Sequence, residues 1–424
     1  MNFFLRHKLP IIFCVAIVLV ALCFYAPRMF SEHFVNRQGL SLNSNSQGQS
    51  LASTTPVFLP SYVATPEPVK GIYMTAWIAS TPKLRNPLVK LIDDTELNSL
   101  VVDIKDYSGK IFFPISDPAL KAFGSEEVRV PDMQDFVSEL HQKGIYAIAR
   151  IAVFQDAYLV KTRPDLAVKN LAGTAVWKDH KGISWIDPGS KEYWDYIILL
   201  TRQARAIGFD EVNFDYIRYP SDGNMQDISY PFSTTTPKAE VLRQFFSYLR
   251  DKLNQDDGTP KGDEPVGTEP AGVVPKGSSG KLKISADLFG MVTTAENDMG
   301  IGQVLENALP YFDYVSPMVY PSHYPPTFIG YKNPEQYPYQ VVLYAIKSAV
   351  KREKLLASTT VEIASSTTDS TEKLRPWLQD FGLTMDYGPT QVRDQIQAVY
   401  DDGLTSWLLW SASNKYTAGA LQAK

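Results

Sequence analysis

Short apolar runs alternate with longer amphipathic stretches from residue 69 to residue 424, and a polar or aromatic loop follows each run. This alternation predicts a parallel sheet whose strands are connected by helical crossovers. Eight such runs indicate an α/β fold of the (β/α)8 TIM-barrel type, with an active site at the C-terminal ends of the strands. The predicted strands are residues 71–77, 99–106, 145–154, 211–217, 283–291, 314–320, 376–381 and 406–413.

An open, doubly wound sheet is the alternative fold, but no glycine-rich phosphate-binding turn follows the first predicted strand. Two low-complexity segments, at about 256–280 and 358–371, fall between a helix and the next strand. A barrel places such connections on the face opposite its active site, where insertions are tolerated. The long loops of the active-site face, 155–189 and 220–237, are expected to wall a cleft with Trp177, Asp179, His180, Trp185, Asp187 and Tyr230.

The N-terminal part of the chain differs from the rest. Residues 9–27 form an apolar run without any charge, preceded by Arg6, His7 and Lys8. The run predicts a single transmembrane anchor, with residues 1–8 as a short cytoplasmic N-terminus and the barrel extracytoplasmic. Residues 28–68, rich in Ser, Asn, Gln and Thr, predict a flexible, disordered linker. Secretion after signal-peptide cleavage is the alternative.

Composition narrows the classes of function. A formal net charge of −5 provides no basic surface for nucleic acid. Both cysteines, Cys14 and Cys23, lie in the predicted anchor, which excludes a disulfide or a cysteine nucleophile from the rest of the chain. The five histidines show no metal-ligand spacing, and no GxSxG elbow is present. We therefore predict no metal and no other cofactor, while the oligomeric state is not indicated.

The segment FDEVNFDYIRYP, residues 209–220, is predicted to be a buried strand that ends by presenting the carboxylate of Asp215. Burying an acid at the end of an apolar strand costs several kcal/mol unless the acid is paired, hydrogen-bonded or open to a cleft. Because side chains alternate along a strand, two faces are expected, with Val212, Phe214 and Tyr216 on one and Asn213, Asp215 and Ile217 on the other.

The same alternation places polar groups at inward positions near the ends of four other predicted strands. These groups are Asp103 and Lys105 on the second strand, Arg150 on the third, Asp287 on the fifth, and Ser316 and Tyr320 on the sixth. Several charged groups that converge on one barrel mouth are typical of a catalytic site.

Asp215 and Asp287, on adjacent strands, suit the two-carboxylate chemistry of glycosidases, in which one group protonates the leaving oxygen and the other attacks or activates water. Arg150 and Arg218 would hold one acid ionised while a drier neighbour keeps its proton. The structural alternative is a buried ion network that only organises the barrel. Substrate contacts are predicted for Asp103, Lys105, Arg150, Arg218, Tyr320, His323, Trp77 and Trp410.

Six motifs occur in order along the chain: GIYMTAW, VVDIKDYSG, GFDEVNFDYIRYP, ADLFG, IGQ and DYVSPMVYPSHY. With these motifs the chain resembles a large bacterial family of uncharacterised, glycoside hydrolase-like proteins with a TIM-barrel domain, over nearly all of residues 69–424. The resemblance implies that Asp215 is a catalytic residue, and it gives less guidance for Asp287.

The strand-four motif is also similar to the DGxDxDxE strand of family-18 chitinases. Two positions depart from that pattern: Glu211 stands where the motif has glycine, and Ile217 stands where it has the proton-donating glutamate. An isoleucine cannot protonate a leaving group. The acid is therefore expected from another strand, from Asp287 or Asp103.

Together these inferences predict a membrane-anchored glycosidase whose barrel acts on a cell-envelope or extracellular polysaccharide. A catalytically inactive glycan-binding barrel is one alternative, because it would keep the aromatic rim without a working acid pair. An envelope scaffold protein, whose barrel only supports protein contacts, is another.

Overall fold

The computed structural model describes residues 60–255, 282–361 and 373–424, in which eight parallel strands close into a barrel in chain order. The predicted (β/α)8 fold is thus confirmed. The strands are β1 (Lys70–Met74), β2 (Ser99–Lys105), β3 (Tyr146–Ala152), β4 (Glu211–Asp215), β5 (Lys283–Phe289), β6 (Tyr314–Met318), β7 (Trp377–Gln379) and β8 (Trp407–Trp410).

The predicted anchor at 9–27, most of the predicted linker and most of the two low-complexity segments lie outside the described residues. In the part of the chain that the structure describes, no helix combines the length and the apolar character needed to cross a membrane.

Every connection between consecutive strands contains at least one helix, which places the helices around the outside of the barrel. The helices are α1 (Ala76–Ala79), α2 (Pro82–Asp94), α3 (Pro118–Lys121), α4 (Met133–Gln142), α5 (Ala157–Thr162), α6 (Lys191–Ala206), α7 (Lys238–Asn254), α8 (Leu305–Ala308), α9 (Pro338–Val361) and α10 (Pro389–Asp401).

The main apolar core lies between the strands and this helical layer. Helix α7 shows how the sequence builds it, because Leu242, Phe245, Phe246 and Leu249 recur at helical spacing and are all fully buried. The outward positions of the strands, such as Phe214 on β4, belong to the same cluster. The barrel therefore draws most of its hydrophobic stabilisation from its outer surface, while its interior combines a small apolar cluster with buried polar groups.

The bottom of the barrel interior holds a fully buried ion pair between Glu211 on β4 and Arg375, which precedes β7. Glu211 also accepts hydrogen bonds from the Tyr146 hydroxyl at 3.1 Å and the Ser285 hydroxyl at 2.5 Å. Glu211 thus has a structural role at the bottom of the barrel, because it is fully buried and neutralises the Arg375 cation there.

We expect Glu211→Gln to lower the free energy of unfolding by about 3–5 kcal/mol, because it leaves the Arg375 cation buried without its anion. Chemical denaturation followed by circular dichroism measures this change. The matched control is Glu240→Gln, which removes a partly exposed ion pair to Arg243 on α7 and should change the value by less than about 1 kcal/mol. Equal effects of the two substitutions would contradict the assignment.

Candidate active site

Four consecutive strands deliver one buried ionisable side chain each to the C-terminal mouth of the barrel. Asp103 comes from β2, Arg150 from β3, Asp215 from β4 and Asp287 from β5. In the strand register, Asp103 pairs with Arg150. Asn213 pairs with Ser285, and these two residues lie two positions before Asp215 and Asp287, respectively. The predicted convergence of these four residues is therefore present in the structure.

Arg150 lies at the centre of this group. Its Nη1 donates to Asp103 Oδ1 at 2.5 Å, its Nη2 forms an ion pair with Asp215, and its Nε lies 3.9 Å from Asp287 Oδ2. Burial acts to lower the pKa of Arg150, but the charges of Asp103 and Asp215 outweigh it and raise that pKa well above its ordinary value. The guanidinium remains a cation that several carboxyl groups share.

Asp215 is held through both of its oxygens. One accepts from Arg150, and Oδ1 accepts from the backbone N–H of Tyr216 at 2.5 Å. Tyr216 adopts a left-handed backbone conformation, with φ of 52°, which is uncommon for a residue other than glycine. Such strain is often found at functional sites, and here it ends β4 directly after the carboxylate.

Asp287 has different surroundings. Its Oδ1 accepts from Asn213 Nδ2 at 2.8 Å and from Trp377 Nε1 at 2.7 Å, whereas the 3.9 Å from Oδ2 to Arg150 is too long for a hydrogen bond. Burial raises the pKa of Asp287 to about 8, the negative charge of Asp215 adds to the effect, and Arg150 opposes it. Asp287 is therefore mostly protonated at neutral pH while Asp215 faces a cation.

Above these residues lies a pocket of about 240 Å³. Trp410 forms part of it and stacks on Tyr73 with ring centroids 3.9 Å apart, while Trp377 meets Trp410 edge-on at 5.6 Å. Mostly apolar walls with a few convergent polar groups are usual for a small-molecule site. The residues that line it are Arg150, Asp215, Tyr216, Arg218, Asp287, Phe289, Gly290, Met291, Met318, Tyr320, His323, Tyr324, Trp377 and Trp410.

Of the predicted substrate-contacting residues, Arg150, Arg218, Tyr320, His323 and Trp410 line this pocket. Burial lowers the pKa of His323, so that its imidazole is neutral at neutral pH. Asp103 does not line the pocket. It accepts hydrogen bonds from Arg150, which does line it, and from the Tyr73 hydroxyl.

Lys105 does not reach the mouth. A register shift between Asp103 and Lys105 pairs Lys105 with Ile151, whose side chain belongs to the outer core. The ammonium lies 3.0 Å from Asp156 and 2.6 Å from the carbonyl oxygen of Ala152. The expected inward position is wrong because the bulge inverts the alternation of side chains at this point.

Trp77 also lies away from the pocket. Thr75 ends the first strand and caps α1, its hydroxyl accepting from the Ile78 N–H at 3.2 Å, so that Trp77 belongs to a helix instead of a strand end. The residue is 64% exposed, and the guanidinium carbon of Arg129 lies 4.2 Å from the centre of its ring. Trp77 therefore does not lie at the end of β1, and it is not part of the pocket lining.

Two residues that line the pocket, Trp377 and Tyr216, and two that lie beside it, Asn213 and Tyr73, had no predicted role. Asn213 and Trp377 hold Asp287, Tyr73 holds Asp103, and Tyr216 lines the wall. Asn213 shares the face of Asp215 in the predicted strand, so alternation alone could have identified it. Trp377 lies on β7, and its reach across to β5 depends on side-chain geometry that the sequence does not specify.

The two long loops pack against each other. Asp187 accepts from the Phe232 N–H at 2.7 Å and from the Ser233 hydroxyl at 2.9 Å, which ties the loop after β3 to the loop after β4. Trp177 donates to the carbonyl oxygen of Asn224 at 3.0 Å. These contacts hold the loops together, but none of the six loop residues that were expected to wall the cleft lines the pocket. Trp185 instead contacts Tyr216 and Arg218, which do line it.

Potential metal ligands are not clustered: among the described residues, no group of three or more His, Cys, Asp or Glu side chains has an arrangement suited to a metal ion.

Known proteins and a known family share similarity with this chain. The hypothetical protein from Ruminiclostridium thermocellum is 32% identical over 43% of this chain and 92% of its own, with a TM-score of 0.40. The glycoside hydrolase domain of PgaB (BpsB) from Bordetella bronchiseptica shares the fold, with a TM-score of 0.54 and 14% identity over 81% of this chain and 94% of its own. No curated protein sequence matches the chain. Residues 71–259 and 277–416 match the family described as "Putative glycosyl hydrolase domain", to which this chain therefore belongs.

Proposed function

We propose that this chain is a glycosidase that hydrolyses a cell-envelope or extracellular polysaccharide, with Asp215 as the nucleophile or base and Asp287 as the general acid. The observation that carries the proposal is the unequal environment of the two carboxyl groups. Asp215 has an ion pair with Arg150, whereas burial raises the pKa of Asp287 to about 8. Two neighbouring carboxyl groups in such different environments are the usual acid and base of a glycosidase.

The proposed chemistry follows from a protonated Asp287 beside an ion-paired Asp215. Asp287 transfers its proton to the glycosidic oxygen as the bond from that oxygen to the anomeric carbon breaks. Asp215 either attacks the anomeric carbon or removes a proton from the water that attacks it. In both cases one water is consumed, and Asp287 regains a proton by the end of the cycle.

The surrounding residues support this division of roles. Asn213 and Trp377 occupy Asp287 Oδ1, which leaves Oδ2 to carry the proton. Trp410, partly exposed in the pocket, offers a flat surface on which a sugar ring can stack. The site lies on strand ends that neighbouring strands fix, so it is preorganised for the reaction.

We also propose that the barrel works outside the cytoplasm, held at the membrane by residues 9–27. The support is the uncharged apolar run after Arg6 and Lys8 and the polar stretch that follows it. Protease treatment of intact cells that express the full chain should remove the barrel. A barrel that is protected in intact cells and cleaved only after lysis would contradict this arrangement.

Replacing either carboxyl group should abolish most of the hydrolysis. We expect Asp215→Asn and Asp287→Asn each to lower kcat/KM by about 10²–10⁴-fold, because each removes a proton-transfer or nucleophilic group and changes little else in shape. Release of reducing ends from a panel of envelope polysaccharides measures the effect. Asp94→Asn, the same change on the exposed surface of α2, is the control. Absence of product with the wild-type chain on every glycan would favour the glycan-binding alternative.

The pH dependence of activity should reveal the acid. Because Asp287 must be protonated to act, kcat/KM should fall about tenfold per pH unit as the pH rises through about 8. A pH–rate profile of the wild-type chain tests this, and the residual activity of Asp287→Asn should lack this alkaline limb. An activity that instead rises with pH across this range would assign Asp287 as a base.

The raised pKa of Asp287 should also reduce stability at alkaline pH. Below the ordinary aspartate pKa of about 3.9, the group is protonated in both states. Between that value and about 8, only the unfolded chain releases the proton, so stability falls as the pH rises.

The variant Asp287→Asn removes this loss, so its Tm relative to the wild type should be higher at pH 8 than at pH 5. Differential scanning calorimetry of both proteins at the two pH values measures the difference. A relative Tm that does not change with pH would show that Asp287 has the same pKa in both states.

A further inference from the structure

The pocket contains two arginines whose environments differ. Arg150 is surrounded by carboxyl groups, two of which form ion pairs with it. Arg218 also lines the pocket, yet no carboxylate among the described residues forms an ion pair with it. Arg150 and Arg218 were both expected to hold one acid ionised, and in the structure Arg150 forms the ion pair with Asp215.

The hydrogen bonds of Arg218 are donated by one nitrogen of its guanidinium, Nη1. Nη1 donates to the carbonyl oxygen of Tyr219 at 3.1 Å and to the hydroxyl of Ser221 at 3.2 Å. Nε and Nη2 donate to no group among the described residues. The N–H groups on Nε and Nη2 form the edge with which an arginine binds a carboxylate through two parallel hydrogen bonds.

Aromatic rings hold the guanidinium in place. Its carbon lies 5.0 Å from the centre of the Trp185 ring and 5.4 Å from that of Tyr216. Trp185 is fixed in turn, because its indole N–H donates to Asp179 Oδ2 at 3.2 Å. These contacts stabilise a cation without neutralising it, since a ring face offers no net charge.

Keeping such a cation in a pocket carries an energetic cost. Burial lowers the pKa of Arg218, which shows that its charged form is less well solvated than in water. The charges of Asp215, Asp222 and Asp179 offset only part of this cost. None of the three forms an ion pair with Arg218, so the guanidinium, which is partly exposed in the pocket, still lacks direct neutralisation by an anion. A bound anion would supply it and would satisfy the edge of Nε and Nη2 at the same time.

We propose that Arg218 is the receptor for a carboxylate on the substrate, so that the enzyme selects an acidic glycan with a carboxylate-bearing sugar at the barrel mouth. The inference rests on the proposed glycosidase function and names its substrate class. A planar, singly charged carboxylate matches the guanidinium edge, whereas a doubly charged phosphate would be repelled more strongly by the nearby Asp215. The carboxylate belongs either to the ring carbon of a uronic acid or to an acidic substituent.

Equilibrium binding of monosaccharides to the full chain tests the proposal without any need for turnover. The probes are glucuronic acid with glucose as its neutral match, and N-acetylmuramic acid with N-acetylglucosamine as its neutral match. We expect the wild type to bind at least one acid about tenfold or more tightly than the matching neutral sugar. The acid that shows this preference identifies the source of the carboxylate.

Two variants assign the preference to Arg218. Arg218→Gln should lower the affinity for the acidic sugar about tenfold or more and the affinity for its neutral match much less, while Arg218→Lys should recover part of the preference. Arg243→Gln, on the surface of α7, is the matched control and should leave the preference intact. Unfolding midpoints of all three variants establish that each is folded.

Three results would overturn the proposal: no binding of any of the four sugars, equal affinity for acidic and neutral sugars, or an equal loss of both in Arg218→Gln. The last result would assign Arg218 a structural role. If the acid preference is present but no polysaccharide is hydrolysed, the carboxylate site stands and the glycosidase proposal fails. The binding measurement thus separates the two.

Discussion

The guanidinium of Arg150 is the group on which the barrel mouth depends, because three buried carboxyl groups surround this single cation. It forms ion pairs with Asp103 and Asp215, and Asp287 is left with a contact of 3.9 Å. Burial and the charge of Asp215 then outweigh the remaining attraction, so Asp287 keeps its proton. Arg150 thus forms an ion pair with Asp215, whereas Asp287 lies too far from it for a hydrogen bond and keeps its proton. That difference allows the two aspartates to take different roles in acid–base chemistry.

Such an ionic interior is tolerated because the apolar core lies elsewhere. Inside the barrel, Ile148 and Leu408 belong to a small apolar cluster, whereas the larger cluster joins the outer faces of the strands to the helices. The pair of Glu211 and Arg375 at the bottom is likewise fully buried. Buried ion pairs contribute little net stability, but each constrains the side chains around it to one arrangement. The helical shell therefore stabilises a barrel whose interior is organised for chemistry.

Sequence periodicity is sufficient to predict the strands, their number and the barrel, because repeated apolar runs are a property of the whole chain. It also identifies Asp215 and Asp287, since both lie in regular parts of their strands. Prediction fails where the backbone becomes irregular: a bulge turns Lys105 outward, and the capping hydroxyl of Thr75 ends β1 early. The partner of each charge cannot be predicted either, because it depends on how far Arg150 reaches across the mouth.

Ile217 shows how such an irregularity decides the chemistry. Regular alternation would place it beside Asp215, where the chitinase motif has its proton donor. The left-handed conformation of Tyr216 reverses the alternation instead, and Ile217 is fully buried in the outer core. Its carbonyl oxygen accepts a hydrogen bond from Gln303. Even a glutamate at this position would therefore point away from the pocket, so with this backbone the acid has to come from another strand, and Asp287 on β5 is the carboxyl group whose position and protonation state fit that role.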